Sequence, residues 1–102
     1  MKEPLIAVVS DPRRGKMGEQ LVNRVAADYH SIDNFQQGCT WNHSRAWRML
    51  EGLSDPDQWG LVLEDDAEPV PGFREQLVLA LAAAPAPTVS LHLGRGYIED
   101  RR

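Results

Sequence analysis

The stretch LIAVVSDP, Leu5–Pro12, sets five apolar residues in a row before a serine, an aspartate and a proline. A run with no polar alternation suits a strand buried on both faces, as in a parallel sheet covered by helices. Asp11-Pro12 ends it, because that pair favours a turn. Outward from this strand the chain alternates. From about Lys16 to Asp28, Met17, Leu21, Val22 and Val25 recur at helical spacing. YHSID, Tyr29–Asp33, reads as a short second strand. Gly38 precedes a helix from about Thr40 to Leu53, with Trp47, Leu50 and Leu53 as its expected apolar stripe. WGLVLE, Trp59–Glu64, is the third strand. Phe73, Leu77, Ala80, Leu81 and Ala84 mark the next helix, closed by Pro85 and Pro87, and TVSLHLG, Thr88–Gly94, is the fourth strand.

This order predicts an α/β fold: a three-layer sandwich with a mostly parallel sheet of about four strands and flanking helices, Rossmann-like in plan. Sheets of that kind bind ligands beyond the carboxyl ends of their strands. Those ends read Ser10-Asp11, Asp33-Asn34, Glu64-Asp65-Asp66 and Gly94-Arg95, so the polar chemistry collects at one edge.

The 102 residues, 42% hydrophobic, fit a single domain over residues 1–102. With 11 basic and 15 acidic residues the net charge is −4, which argues against a general nucleic-acid binder. Cys39 is the only cysteine, so no internal disulfide forms. The N-terminal apolar run is too short for a secretory signal, and no segment approaches the roughly 20 apolar residues of a membrane span. A cytoplasmic protein is the expectation.

The acidic triplet at the third strand end has several readings. Strand alternation would place Glu64 and Asp66 on one side and Asp65 on the other. Two carboxylates on one side suit a hard divalent cation carrying a diphosphate. The same residues also fit a solvated acidic turn or a general acid–base pair. A phosphate-accepting aspartate ranks low, because Asp11 stands alone after the first strand. His43 falls early in its helix, four residues before Trp47, where it either donates to a phosphate or closes the core edge. Arg13, Arg14 and Lys16 form a basic cluster that either attracts a diphosphate or is solvated loop. Trp41 either packs or stacks on a ligand ring. Cys39 is small filler at the helix start.

GCTWNHSRAWRML (Gly38–Leu50), followed by WGLVLEDDAEPVPGF (Trp59–Phe73), resembles nucleotide-sugar glycosyltransferases of the GT-A fold. The likeness is to the lipopolysaccharide-biosynthesis type, family 25, and to related short bacterial and phage transferases. It spans roughly Leu5 to Gly94 and implies the donor-binding half of such an enzyme, with the acceptor half and catalytic base beyond it. On that resemblance Asp66 and Glu64 would hold Mn2+ or Mg2+. Ser10, Asp11, Asp33, His43, Glu64 and Asp65 would contact a nucleotide-sugar donor, with a UDP-sugar expected. No glycine-rich phosphate loop is read in the chain. The expectation is therefore a metal-dependent glycosyltransferase, or its donor-binding portion, truncated at the C-terminus. The alternative is a non-catalytic α/β interaction module that dimerises through an exposed sheet edge or its apolar helices.

Overall fold

A computed structural model describes residues 2–83. It contains β1 (Leu5–Ser10), a 3-10 turn (Pro12–Arg14), α1 (Met17–Val25), β2 (Tyr29–Ile32), α2 (Cys39–Leu53), β3 (Gly60–Glu64) and α3 (Phe73–Ala82). The expected fourth strand, Thr88–Gly94, and the proline-closed helix end lie outside the described residues.

The three strands form one parallel sheet in the order β2-β1-β3. β1 is the middle strand, with Ala7 opposite both Tyr29 and Val62. Its unbroken apolar run follows from that position, since both of its faces are covered. Ile6 and Val8 meet Leu21 and Val25 of α1 and Leu77 and Leu81 of α3. Ala7 and Val9 meet Ala46 and Leu50 of α2. The helices thus lie on both faces of the sheet, and the expected α/β three-layer architecture is present. Burying each larger aliphatic side chain contributes roughly 1.5–3 kcal/mol.

Two local features fix how the helices approach. Gly18 of α1 lies directly against the end of β1. A Cβ there would stand 2.6 Å from Ser10 Cβ and 2.8 Å from His30 Nε2, so only glycine permits this contact. On the other face, the buried stripe of α2 is Asn42, Ala46 and Leu50, spaced by four. This corrects the expected stripe: Leu50 belongs to it, but Trp47 and Leu53 are 50% and 55% exposed. The small Ala46 lets the helix lie close over Ala7 and Val9. Asn42 is buried because polar groups at the strand ends need partners. Its Nδ2 donates to the carbonyls of Ser10 (3.2 Å) and Ser31 (3.1 Å), and its Oδ1 accepts from Ser31 Oγ (2.5 Å).

Candidate functional site

The carboxyl ends of the three strands open into one pocket of about 200 Å³. Its walls come from the β1 end and the following loop, from Asp33 after β2, from the first turns of α2, and from Glu64 and Asp65. Of the residues singled out in the sequence, Ser10, Asp11, Asp33, His43, Glu64 and Asp65 all line it, and Asp66 does not.

Several of these groups already have partners within the chain. Ser10 is buried, and its hydroxyl pairs with His30 Nε2 at 2.7 Å. Burial lowers the His30 pKa, against a smaller upward pull from Glu19 and Asp65. Asp33 accepts from the amides of Gln37 (2.7 Å) and Gly38 (2.9 Å) and so shapes the entry to α2. Gly38 takes a φ of 107° there. Asp11 caps the 3-10 turn by accepting from the Arg13 amide at 2.9 Å, and the Arg13 guanidinium grips the same carboxylate. The side-chain and amide hydrogen bonds from Arg13 lower the Asp11 pKa to about 2.

The acidic triplet does not converge. The chain turns after Glu64, where the Ala67 amide bonds back to the Glu64 carbonyl at 3.0 Å, so extended alternation stops. Glu64 lies toward α2, with Oε1 at 3.6 Å from His43 Nε2. Asp65 is buried at 4% exposure. One of its oxygens accepts from the Asp11 amide (3.1 Å) and the other from Arg14 Nη1 (2.5 Å). Asp66 is 60% exposed, lies 3.6 Å from Arg14, and borders a second depression with Met17 and Arg24. The expected side-by-side arrangement of Glu64 and Asp66 is thus corrected, because one faces α2 and the other α1. Carboxylates at this edge are still chemically compatible with a hard cation such as Mg2+.

Trp41 carries the Arg45 guanidinium at 4.5 Å from its ring centre, a cation–π contact. Arg45 also reaches Ser31 Oγ (2.9 Å) and the Ile32 carbonyl (2.6 Å), tying α2 to β2.

Lys16 was read in the sequence only as part of a basic cluster; Gly15, and the pairing of the two, were missed. They sit between the 3-10 turn and α1, with Gly15 at a φ of 66° and Lys16 at the N-cap position of the helix, without a side-chain cap bond. Ser10-Asp11-Pro12-Arg13-Arg14-Gly15-Lys16-Met17 follows the spacing of a P-loop, G-x-x-x-x-G-K-[ST]. It departs from it at both ends, with Ser10 for the first glycine and Met17 for the hydroxyl residue. The Gly-Lys pair just before a helix was the available signal, and the two end departures hid it.

Fold and edge therefore define a parallel α/β protein with a ligand-type pocket at the strand ends. The chain is similar to GTPases named Der. It is 38% identical over 86 residues to GTPase Der of Microcystis aeruginosa, matching 82% of this chain and 19% of that protein. It is 36% identical over 88 residues to GTPase Der of Gloeothece citriformis and 37% over 89 residues to that of Synechocystis sp., each matching 84% of this chain and 19% of the relative. The chain thus spans about a fifth of the length of the curated relatives it matches. No family model and no solved structure matches it.

This similarity overturns the resemblance to GT-A glycosyltransferases, and with it the metal-dependent glycosyl transfer and the UDP-sugar donor. The alternative, a non-catalytic interaction or dimerisation module derived from such an enzyme, gains no clear support from it either. An acidic tip on an apolar strand arises in any parallel α/β sheet whose ligand edge is polar, so EDDA after WGLVL does not single out one family. Among the described residues, no helix is long and apolar enough to cross a membrane.

Proposed function

We propose that the chain binds a guanine nucleotide through the loop between β1 and α1, and that it does not hydrolyse it. The observation that carries this reading is the strand–loop–helix unit in which Gly15-Lys16 precedes the N-terminus of α1. A helix start of this kind favours phosphate. Lys16 would supply the point charge, and Arg13 and Arg14 stand in the same loop. Similarity to GTPases named Der supports guanine as the base. Mg2+ rather than Mn2+ would accompany the phosphates, with Asp66, 3.6 Å from Arg14 and largely open to solvent, as its carboxylate. A P-loop uses the hydroxyl after its lysine to hold that ion, and Met17 has none. Weak metal placement therefore goes with binding and without turnover.

Calorimetric titration of the chain with GDP and GTP, with Mg2+ present, tests this. Saturable binding is expected, weakened by Lys16→Ala on the order of tenfold or more, as for a lost hydrogen bond to a charged group. Phosphate release from GTP should stay at the buffer background. Absence of binding to either nucleotide at millimolar concentration overturns the proposal.

A further inference from the structure

Cys39 and His43 stand one turn apart at the start of α2, and Glu64 ends β3 opposite them. One donor atom from each lies within 4.8 Å of the others, and His43 Nε2 is 3.6 Å from Glu64 Oε1. We infer that these three side chains form a binding site for a borderline divalent cation of the zinc class, with at least one coordination position open to the pocket.

The donor chemistry selects the ion. One sulfur, one nitrogen and one oxygen do not suit magnesium or calcium, which take oxygen ligands. Thiolate and imidazole together suit zinc, and three protein ligands with an open position match its non-structural sites. The spacing is also built for it. Residues i and i+4 project from one helix face, so Cys39 and His43 present their donors together. Metal–ligand bonds of about 2.0–2.3 Å at tetrahedral angles put donor atoms roughly 3.3–3.8 Å apart. The present spread closes to that by side-chain rotation, because Cys39 is exposed and the Glu64 and His43 side chains are 57% and 31% exposed. The nearby cations do not oppose the ion unscreened. Arg13 is paired with Asp11 and Arg14 with Asp65. On binding, the Cys39 thiol gives its proton to solvent and the sulfur forms the metal bond.

This site does not depend on the nucleotide reading, and its test contains no nucleotide. The metal-free chain is titrated with Co2+ and then with Zn2+, following absorbance and thermal midpoint. One equivalent of Co2+ should give a thiolate-to-cobalt charge-transfer band, which Zn2+ then bleaches while raising the midpoint. Cys39→Ser should abolish the band. Each of Cys39→Ser, His43→Ala and Glu64→Gln should weaken zinc by at least about 10–100-fold, the loss seen when even a supporting partner is removed. All three positions are exposed or half-exposed, so circular dichroism of the metal-free variants should be unchanged. Glu51→Gln, exposed further along α2 and outside the cluster, should bind zinc as the parent does. No charge-transfer band in the parent overturns the site, as does zinc affinity indifferent to all three substitutions.

Discussion

Asp65 joins two strand ends with one carboxylate, taking the Asp11 amide on one oxygen and Arg14 on the other. In Asp65→Ala the amide loses its acceptor, at an expected cost of about 1–3 kcal/mol in urea unfolding. Asp65→Asn keeps an acceptor for the amide and should lose less. The Arg14 pair itself adds little to the difference, because Arg14 is half-exposed and solvent screens it. Equal losses in the two variants would show that charge, not the amide bond, holds the β1 end to β3. The sequence marked Asp65 as an edge residue but not its partners. Arg14 is 51 residues away and reaches it only through parallel pairing of β1 with β3.

At the scale of elements, α2 gives the sharpest contrast. Leu50 is buried against β1, and Leu53, one turn later, is largely in solvent. Leu50→Ala should therefore cost about 2–5 kcal/mol. Leu53→Ala should change stability by less than about 0.5 kcal/mol. Chemical denaturation of both variants checks the assignment, and a larger loss at Leu53 would reverse it. Strand and helix order, and the gathering of polar residues at one edge, were legible because β1 is apolar without a break and turn residues such as Asp11-Pro12 and Gly38 separate the elements. The face of α2 was not legible. Hydrophobicity alone favours Trp47 and Leu53, while the actual face is chosen by Ala46, which allows close approach, and by Asn42, which satisfies carbonyls contributed by two strands. The turn after Glu64 was equally hidden, since alternation along a strand holds only while the backbone stays extended.

At the scale of the whole molecule, His30 and Asp11 are two described groups whose lowered pKa values contribute to the acid response. The His30 pKa is lowered by burial, so folding favours its neutral form. Its contribution is complete above the unfolded value of about 6.5 and declines as pH falls through that value toward the lower folded one. Asp11 has its pKa lowered from 3.8 to about 2, so its contribution is present above 3.8 and is lost as pH falls toward 2. Stability is expected to fall in two separate stages on acidification. Urea unfolding at a series of pH values checks this, and NMR titration of the His30 ring should place its midpoint below the ordinary histidine value. A His30 midpoint at or above that value removes the first stage.

The paired arginines of the β1–α1 loop carry a further consequence. Arg13 and Arg14 already rest on carboxylates of the same chain. Any anion arriving there meets tethered rivals, so its uptake is an exchange and its departure is assisted by their return. On the proposed binding role, the loop would trade tightness for rapid exchange, because the pairs that fasten it compete with its ligand. Neutralising Asp65 would loosen the fold and, by freeing Arg14, tighten the hold on an incoming anion.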